Sequence, residues 1–230
     1  MAGRQTRKPG LGAVAALPAL KARLVAERLE LLGGFAVDEG EDGFPAGTRT
    51  LLLLGPAEPG FWPHLTAQPE WQDGQPDPVD RWSRRVIGQL ACDLGAKALF
   101  PFGGPPYHPF YRWALRTGRV WESPVRLLVH AGQGLMVSFR GALALKDAVD
   151  VPTPDGKPCD GCPAPCLTAC PAGALTIDGY DVPRCHALLD QPAGNDCMTG
   201  GCLVRRACPV TQAYARLPEQ SAYHMGQFHK

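Results

Sequence analysis

Eight of the nine cysteines fall between Cys159 and Cys208, in a stretch that opens CDGCPAPCLTACPAGAL. Cys159, Cys162, Cys166 and Cys170 follow one another at gaps of two, three and three residues, and Pro171 comes directly after the fourth. A second set follows at Cys185, Cys197, Cys202 and Cys208, and Pro209 again follows the last. Thiolates at this density, with one directly before a proline, are what an iron–sulfur cluster needs: four sulfur ligands supplied by a tight glycine- and proline-rich loop.

Iron–sulfur clusters take four thiolates each, and the bacterial two-cluster spacing is C-x2-C-x2-C-x3-C-P, with the fourth cysteine of a run ligating the other cluster. The first run here differs by one residue, between Cys162 and Cys166; the second is looser, with gaps of eleven, four and five residues. On the two-cluster pattern Cys159, Cys162, Cys166 and Cys208 hold one [4Fe–4S] cluster, while Cys170, Cys185, Cys197 and Cys202 hold the other. Gly156, Gly161, Gly173, Gly179, Gly194, Gly200 and Gly201 let the backbone approach a cluster and turn N–H groups toward its sulfurs. Two other readings of eight cysteines exist. A disulfide framework belongs to exported chains, and the basic leader Arg4, Arg7, Lys8 precedes an apolar run, AVAALPAL, that Pro18 interrupts and Lys21 and Arg23 follow. Zinc also uses C-x2-C, but the Cys-Pro pairs and the compact C-x3-C-P favour iron–sulfur. Cys92 stands apart on a helical pattern and reads as a small buried apolar residue.

The cysteine-free part is long enough for a core of its own within the 230 residues. The expected organisation is an α+β domain over residues 1–150 and a small iron–sulfur domain over 151–230, with the boundary in DVPTPDGKP at 150–158. Leu17, Leu20, Leu24, Leu31 and Leu32 suggest a helix that Gly33-Gly34 stops, before a strand at 35–37. Residues 48–54 read as a strand, and the proline-rich stretch after it as a long ordered loop or lid. The clearest helix starts at Asp77-Pro78, buries Trp82, Val86, Ile87, Leu90 and Leu94, and ends at Gly95, with Arg81, Arg84 and Arg85 on its solvated face. A strand near 98–102, a short helix near 107–115, and two strands (125–129 and 135–145) either side of Gly132-Gln133-Gly134 complete the reading.

The formal charge of +1 gives no electrostatic reason to expect a nucleic-acid partner, and no apolar run is long enough for a membrane span. A cytoplasmic location is the expectation.

The order PDPVDRWSRRVIGQL, LLVHAGQGLMVSFRGALAL, then a short proline-containing link into the cysteine run resembles the cobalamin-processing family typified by CblC. It is similar also to the epoxyqueuosine reductases and reductive dehalogenases, which join a related corrinoid-binding domain to a two-cluster ferredoxin module. The resemblance implies a flavin-reductase-like α+β first domain with a mainly antiparallel central sheet, a ferredoxin-like second domain, and a bound corrinoid, with flavin as the lesser alternative. It implies electrons passing from a redox protein or reductase, through the clusters, to that cofactor. In the CblC family an arginine before glycine in the last strand helps hold glutathione, and Arg140-Gly141 matches it. The epoxyqueuosine reductases carry a GWIGKNT-type segment and a catalytic aspartate ahead of their paired strands; neither occurs between Phe110 and Leu127, so tRNA modification stays an alternative, as does a plain ferredoxin-type carrier.

A corrin needs a broad apolar wall, for which Phe102, Tyr107, Phe110, Trp113 and Phe139 are the aromatic candidates, each also a plausible core residue. His130 ends a strand beside a glycine turn and serves either as a ligand contact or as a structural histidine. Arg140 shares a strand face with Ser138 and requires an anionic partner, a carboxylate or a ligand phosphate. The first-domain contacts expected for a cofactor are therefore Phe102, Tyr107, His130, Ser138 and Arg140.

Overall fold

The computed structural model describes residues 13–153 and 156–230. The leader residues Arg4, Arg7 and Lys8, the side chain of Leu17, and two residues of the expected boundary lie outside that description. In chain order the elements are α1 (Ala13–Ala26), β1 (Leu29–Ala36), β2 (Thr50–Pro56), α2 (Phe61–Thr66), α3 (Pro69–Gln72) and α4 (Pro78–Leu94). Then come β3 (Lys97–Leu99), α5 (Phe110–Arg116), β4 (Val120–Glu122), β5 (Leu128–His130) and β6 (Gly141–Leu145). The cysteine-rich part holds β7 (Leu175–Thr176), β8 (Gly179–Tyr180), α6 (Val182–Leu189), α7 (Asn195–Gly200), α8 (Leu203–Arg206), α9 (Pro209–Gln212) and α10 (Pro218–Phe228). The fold is mixed α+β with antiparallel sheets, and among the described residues no helix is long and apolar enough to cross a membrane.

The main sheet has the order β1-β2-β6-β3. Its centre is buried on both sides, which is why TLLLL and GALAL read as continuous apolar runs and not as alternations. Leu52, Leu54, Leu143 and Leu145 face α1, α2 and α4 in one core that includes Trp82, Phe61 and Leu24. Leu51, Leu53, Ala142 and Ala144 face α5 in a second core with Phe110, Trp113 and Phe139. Helix α4 runs from Pro78 at its first position to Gly95 in the left-handed region, and Asp77 occupies the cap position without a side-chain capping bond. Of its solvated-face arginines, Arg81 pairs with Asp73 and Arg85 with Glu70.

Several expectations are corrected. The first helix continues through Pro18 and ends at Ala26; burial of Leu20 and Leu24 outweighs the one backbone hydrogen bond that a proline removes. Leu31, Leu32 and Gly33-Gly34 belong to β1, where the register shifts between Leu31 and Gly33, so the glycines mark a bulge and not a helix stop. The proline-rich stretch contains α2 and α3, the latter with Pro69 at its first position. The two strands expected around Gly132-Gln133-Gly134 do not form a hairpin: β5 pairs with β4, and β6 pairs with β2 and β3. Cys92 is exposed, on the side of α4 away from Trp82 and Ile87.

A third core joins the two halves. Val125, Val129 and Leu135 pack with Cys166, Leu175, Val204 and Cys208. The chain after Cys208 returns to the first half: the Tyr214 hydroxyl donates to the Pro56 carbonyl at 3.0 Å, and Tyr223 of α10 packs against Trp62 and Trp71. The Leu135–Ser138 segment, which forms no part of the sheet, crosses β2 at Gly55, where a Cβ would lie 2.4 Å from the Ser138 carbonyl oxygen. That crossing places Met136, Val137 and Ser138 against the cysteine-rich half.

His130 anchors the same region. Its Nε2–H donates to the Leu32 carbonyl at 3.0 Å, while Nδ1 accepts the Gly132 and Gln133 amides at 3.1 Å each. Burial, with Arg119 nearby, pushes the imidazole pKa down to about 4. A histidine near 6.5 when unfolded takes up a proton there before it does in the fold, so stability is full above that value and is lost as the pH falls toward 4. Unfolding free energy is expected to drop by ~2 kcal/mol from this group between pH 7 and pH 5. His130→Asn should flatten that slope in urea titrations; an unchanged slope would assign the acid sensitivity elsewhere.

Candidate metal centres

The eight clustered cysteines surround two separate hollows. Cys159, Cys162, Cys166 and Cys208 line one of about 40 Å³, walled by Val129, Leu135 and Val210. Cys162 closes a turn on Cys159 through a 3.2 Å amide bond, and Cys166 lies in the single turn Pro165–Leu167. Cys208 arrives from forty-odd residues later because Pro209 opens α9 and leaves Cys208 extended at its cap. This is a physical reason for the Cys-Pro pair: proline's fixed φ and missing N–H suit a first helical position, so the preceding thiol is held at a defined chain turn. Burial pushes the Cys159 and Cys166 thiols up, and charge on their neighbouring thiols pushes the same way. Ionised together in an apolar hollow, they require a cationic occupant.

Cys170, Cys185, Cys197 and Cys202 line the second hollow, of about 270 Å³. The Ala174 amide donates to the Cys170 sulfur at 3.2 Å. Cys185 and Cys197 come from α6 and α7, and Cys202 caps α8. Burial again pushes the Cys185 and Cys197 thiols up, with Cys202 adding to both. The grouping is crossed: Cys170 leaves the first run for the second hollow, and Cys208 leaves the second run for the first. Among the described residues no group of three or more His, Cys, Asp or Glu side chains is drawn together tightly enough to hold a single metal ion.

The five first-domain residues expected around a cofactor are not gathered at one place. Phe102 lies against Phe100, with the Arg84 guanidinium over its ring at 5.2 Å. Tyr107 is 65% exposed, and Phe110, Trp113 and Phe139 are spent on the second core. Both nitrogens of His130 are engaged by backbone groups, which makes it a structural histidine with neither nitrogen left for a ligand. Ser138 lines the second hollow. Arg140 has its carboxylate partner in Asp80, at 3.5 Å, and reaches the Ser138 hydroxyl at 3.5 Å.

The second hollow also contains residues that sequence reasoning passed over: Arg205, Arg216 and His224. Only Arg205 carried a signal, since it sits between the last two cysteines. Arg216 and His224 come to the hollow through the return of the chain over the first half, which no local pattern announces.

No protein family, curated protein or solved structure is found to match the chain.

Proposed function

We propose that the chain is an iron–sulfur redox protein whose two hollows each take a [4Fe–4S] cluster. The crossed grouping of the cysteines carries this reading. Eight thiols that separate four and four, with each Cys-Pro cysteine in the hollow of the other run, follow the ligand exchange of two-cluster ferredoxins. Thiols that ring a space, and do not meet at a point, suit an occupant with four corners to be ligated. Cys159, Cys162, Cys166 and Cys208 would hold the first cluster; Cys170, Cys185, Cys197 and Cys202 the second. A bound [4Fe–4S] cluster supplies one-electron transfer.

The chain's own part is to hold the thiols, to keep water from Cys166, Cys197 and Cys208, each under a tenth exposed, and to aim backbone N–H groups at sulfur, as Ala174 does. Met136, Val137 and Ser138 of the first half form one wall of the second hollow, as Val129 and Leu135 do of the first, so an electron acceptor held by the first half would lie close to a cluster.

The acceptor implied by the resemblance is a corrinoid, or a flavin in its place, supplied with electrons by a redox protein or reductase. Anaerobic titration of the cluster-loaded protein with cobalamin tests it. Saturable binding, with cobalt reduction that depends on the clusters, is the result expected for a corrinoid reductase. Absence of binding would leave a two-cluster electron carrier that delivers to another acceptor.

A further inference from the structure

Each hollow is ringed by four cysteines, but the sizes differ: about 40 Å³ against about 270 Å³. A cluster of one kind in each leaves space over in the larger. The larger approaches the ~300–1,000 Å³ of pockets that take small organic ligands, so it has room beyond what its four cysteines need.

The lining is largely apolar, and its charged side chains, Arg205 and Arg216, are both cationic. The Arg205 guanidinium donates to the Leu135 carbonyl and Arg216 to the Met136 carbonyl at 3.2 Å, bonds that fix both heads at the wall without neutralising them. The Nε–H of Arg216 is buried with no hydrogen-bond partner among the described residues, as is that of Arg140, which does not line the hollow. Burial, and then repulsion from Arg205, pushes the Arg216 guanidinium pKa down to about 10. His224 of α10 is pushed far below its ordinary value by burial and then by Arg216, Arg140 and Arg205. Two carboxylates stand against this excess: Asp80 faces Arg140, and Glu58 faces Arg216 with its own pKa raised by burial. Neither lines the hollow. Ser138 and Ser221, which do line it, add hydroxyl groups.

We infer that the surplus space of the second hollow is a binding site for a small oxyanion, a carboxylate or phosphate group on a compact ligand, held by Arg205 and Arg216. Guanidinium groups are planar forks suited to both anions. That the ligand lies beside a cluster rests on the iron–sulfur reading; that an oxyanion binds here does not.

Calorimetric titration of the cluster-loaded protein with inorganic phosphate and, separately, malonate tests the inference. Saturable binding of at least one ion is expected, and the preferred ion gives the class of ligand. Arg216→Ala should weaken binding at least about tenfold, and Arg216→Lys, which keeps the charge but not the fork, less so. In the reduced wild-type protein the bound ion should perturb one of two paramagnetic signals. Failure of both ions to bind a protein that carries its clusters overturns the oxyanion site alone, as does unchanged binding in Arg216→Ala. Ion binding by a protein that never takes up iron would overturn the cluster reading and leave the site standing.

Discussion

Cys208→Ala is expected to remove the first cluster and spare the second, although Cys208 ends the second run of cysteines. A protein with both centres should carry about eight iron atoms per chain, and the variant about four. The reason is the crossed geometry: Cys208 stands with Cys159, Cys162 and Cys166 around the smaller hollow, delivered there by the helix that Pro209 starts. Cys202→Ala should remove the other half. The pairwise combinations are sharper. Cys159→Ala with Cys208→Ala should cost no more iron than either alone, whereas Cys202→Ala with Cys208→Ala should leave almost none. If instead Cys202 and Cys208 prove to share a centre, the grouping follows the runs in the sequence and the crossed arrangement is wrong.

Gly134→Ala should destabilise the protein by about 3 kcal/mol, summing a left-handed backbone cost and a backbone clash. Gly134 has φ +57, and a Cβ there would lie 2.5 Å from both the amide nitrogen and the hydroxyl of Thr211. Relief by a side-chain swing is closed off, because one of the obstructing atoms is main chain. Thr211 is also the local clasp between the halves, accepting the Leu135 amide at 2.9 Å through its hydroxyl. Thr211 follows Cys208 by three residues on α9, so displacing it moves a thiol. Thermal or urea unfolding should show the loss, and iron content should fall at the first centre before the second. Wild-type stability in Gly134→Ala would mean that the clasp is looser than the packing indicates.

What the sequence made legible was whatever one element settles by itself. Helix α4 was readable because its apolar face, first-position proline and terminal glycine agree, and the TLLLL strand because only a strand buried on both faces is so uniformly apolar. The eight cysteines stood out by their number and by the two Cys-Pro pairs, which are local features of the chain. The errors lie where an apolar residue serves a different partner from the one its neighbours suggest. Leu135–Ser138 lies only two residues, Phe139 and Arg140, before the strand at Gly141–Leu145, yet it packs on the cysteine-rich half and stays out of the sheet. Leu31 and Leu32 continue the helical leucine spacing by coincidence, across a turn at Arg28, which has φ 52. Arg216 and His224 reach the second hollow only through tertiary return of the chain, and the aromatic residues put forward as a cofactor wall were claimed by the core.

The eight thiols are proposed to hold two clusters and not two single ions. Anaerobic reconstitution followed by iron, acid-labile sulfide and zinc analysis on the same sample tests it most directly. About eight iron and eight sulfide per chain, with visible absorbance that bleaches on reduction, is the predicted result. About two zinc per chain with no sulfide, retained when iron and sulfide are offered, would contradict it and make the cysteine-rich half a structural zinc module.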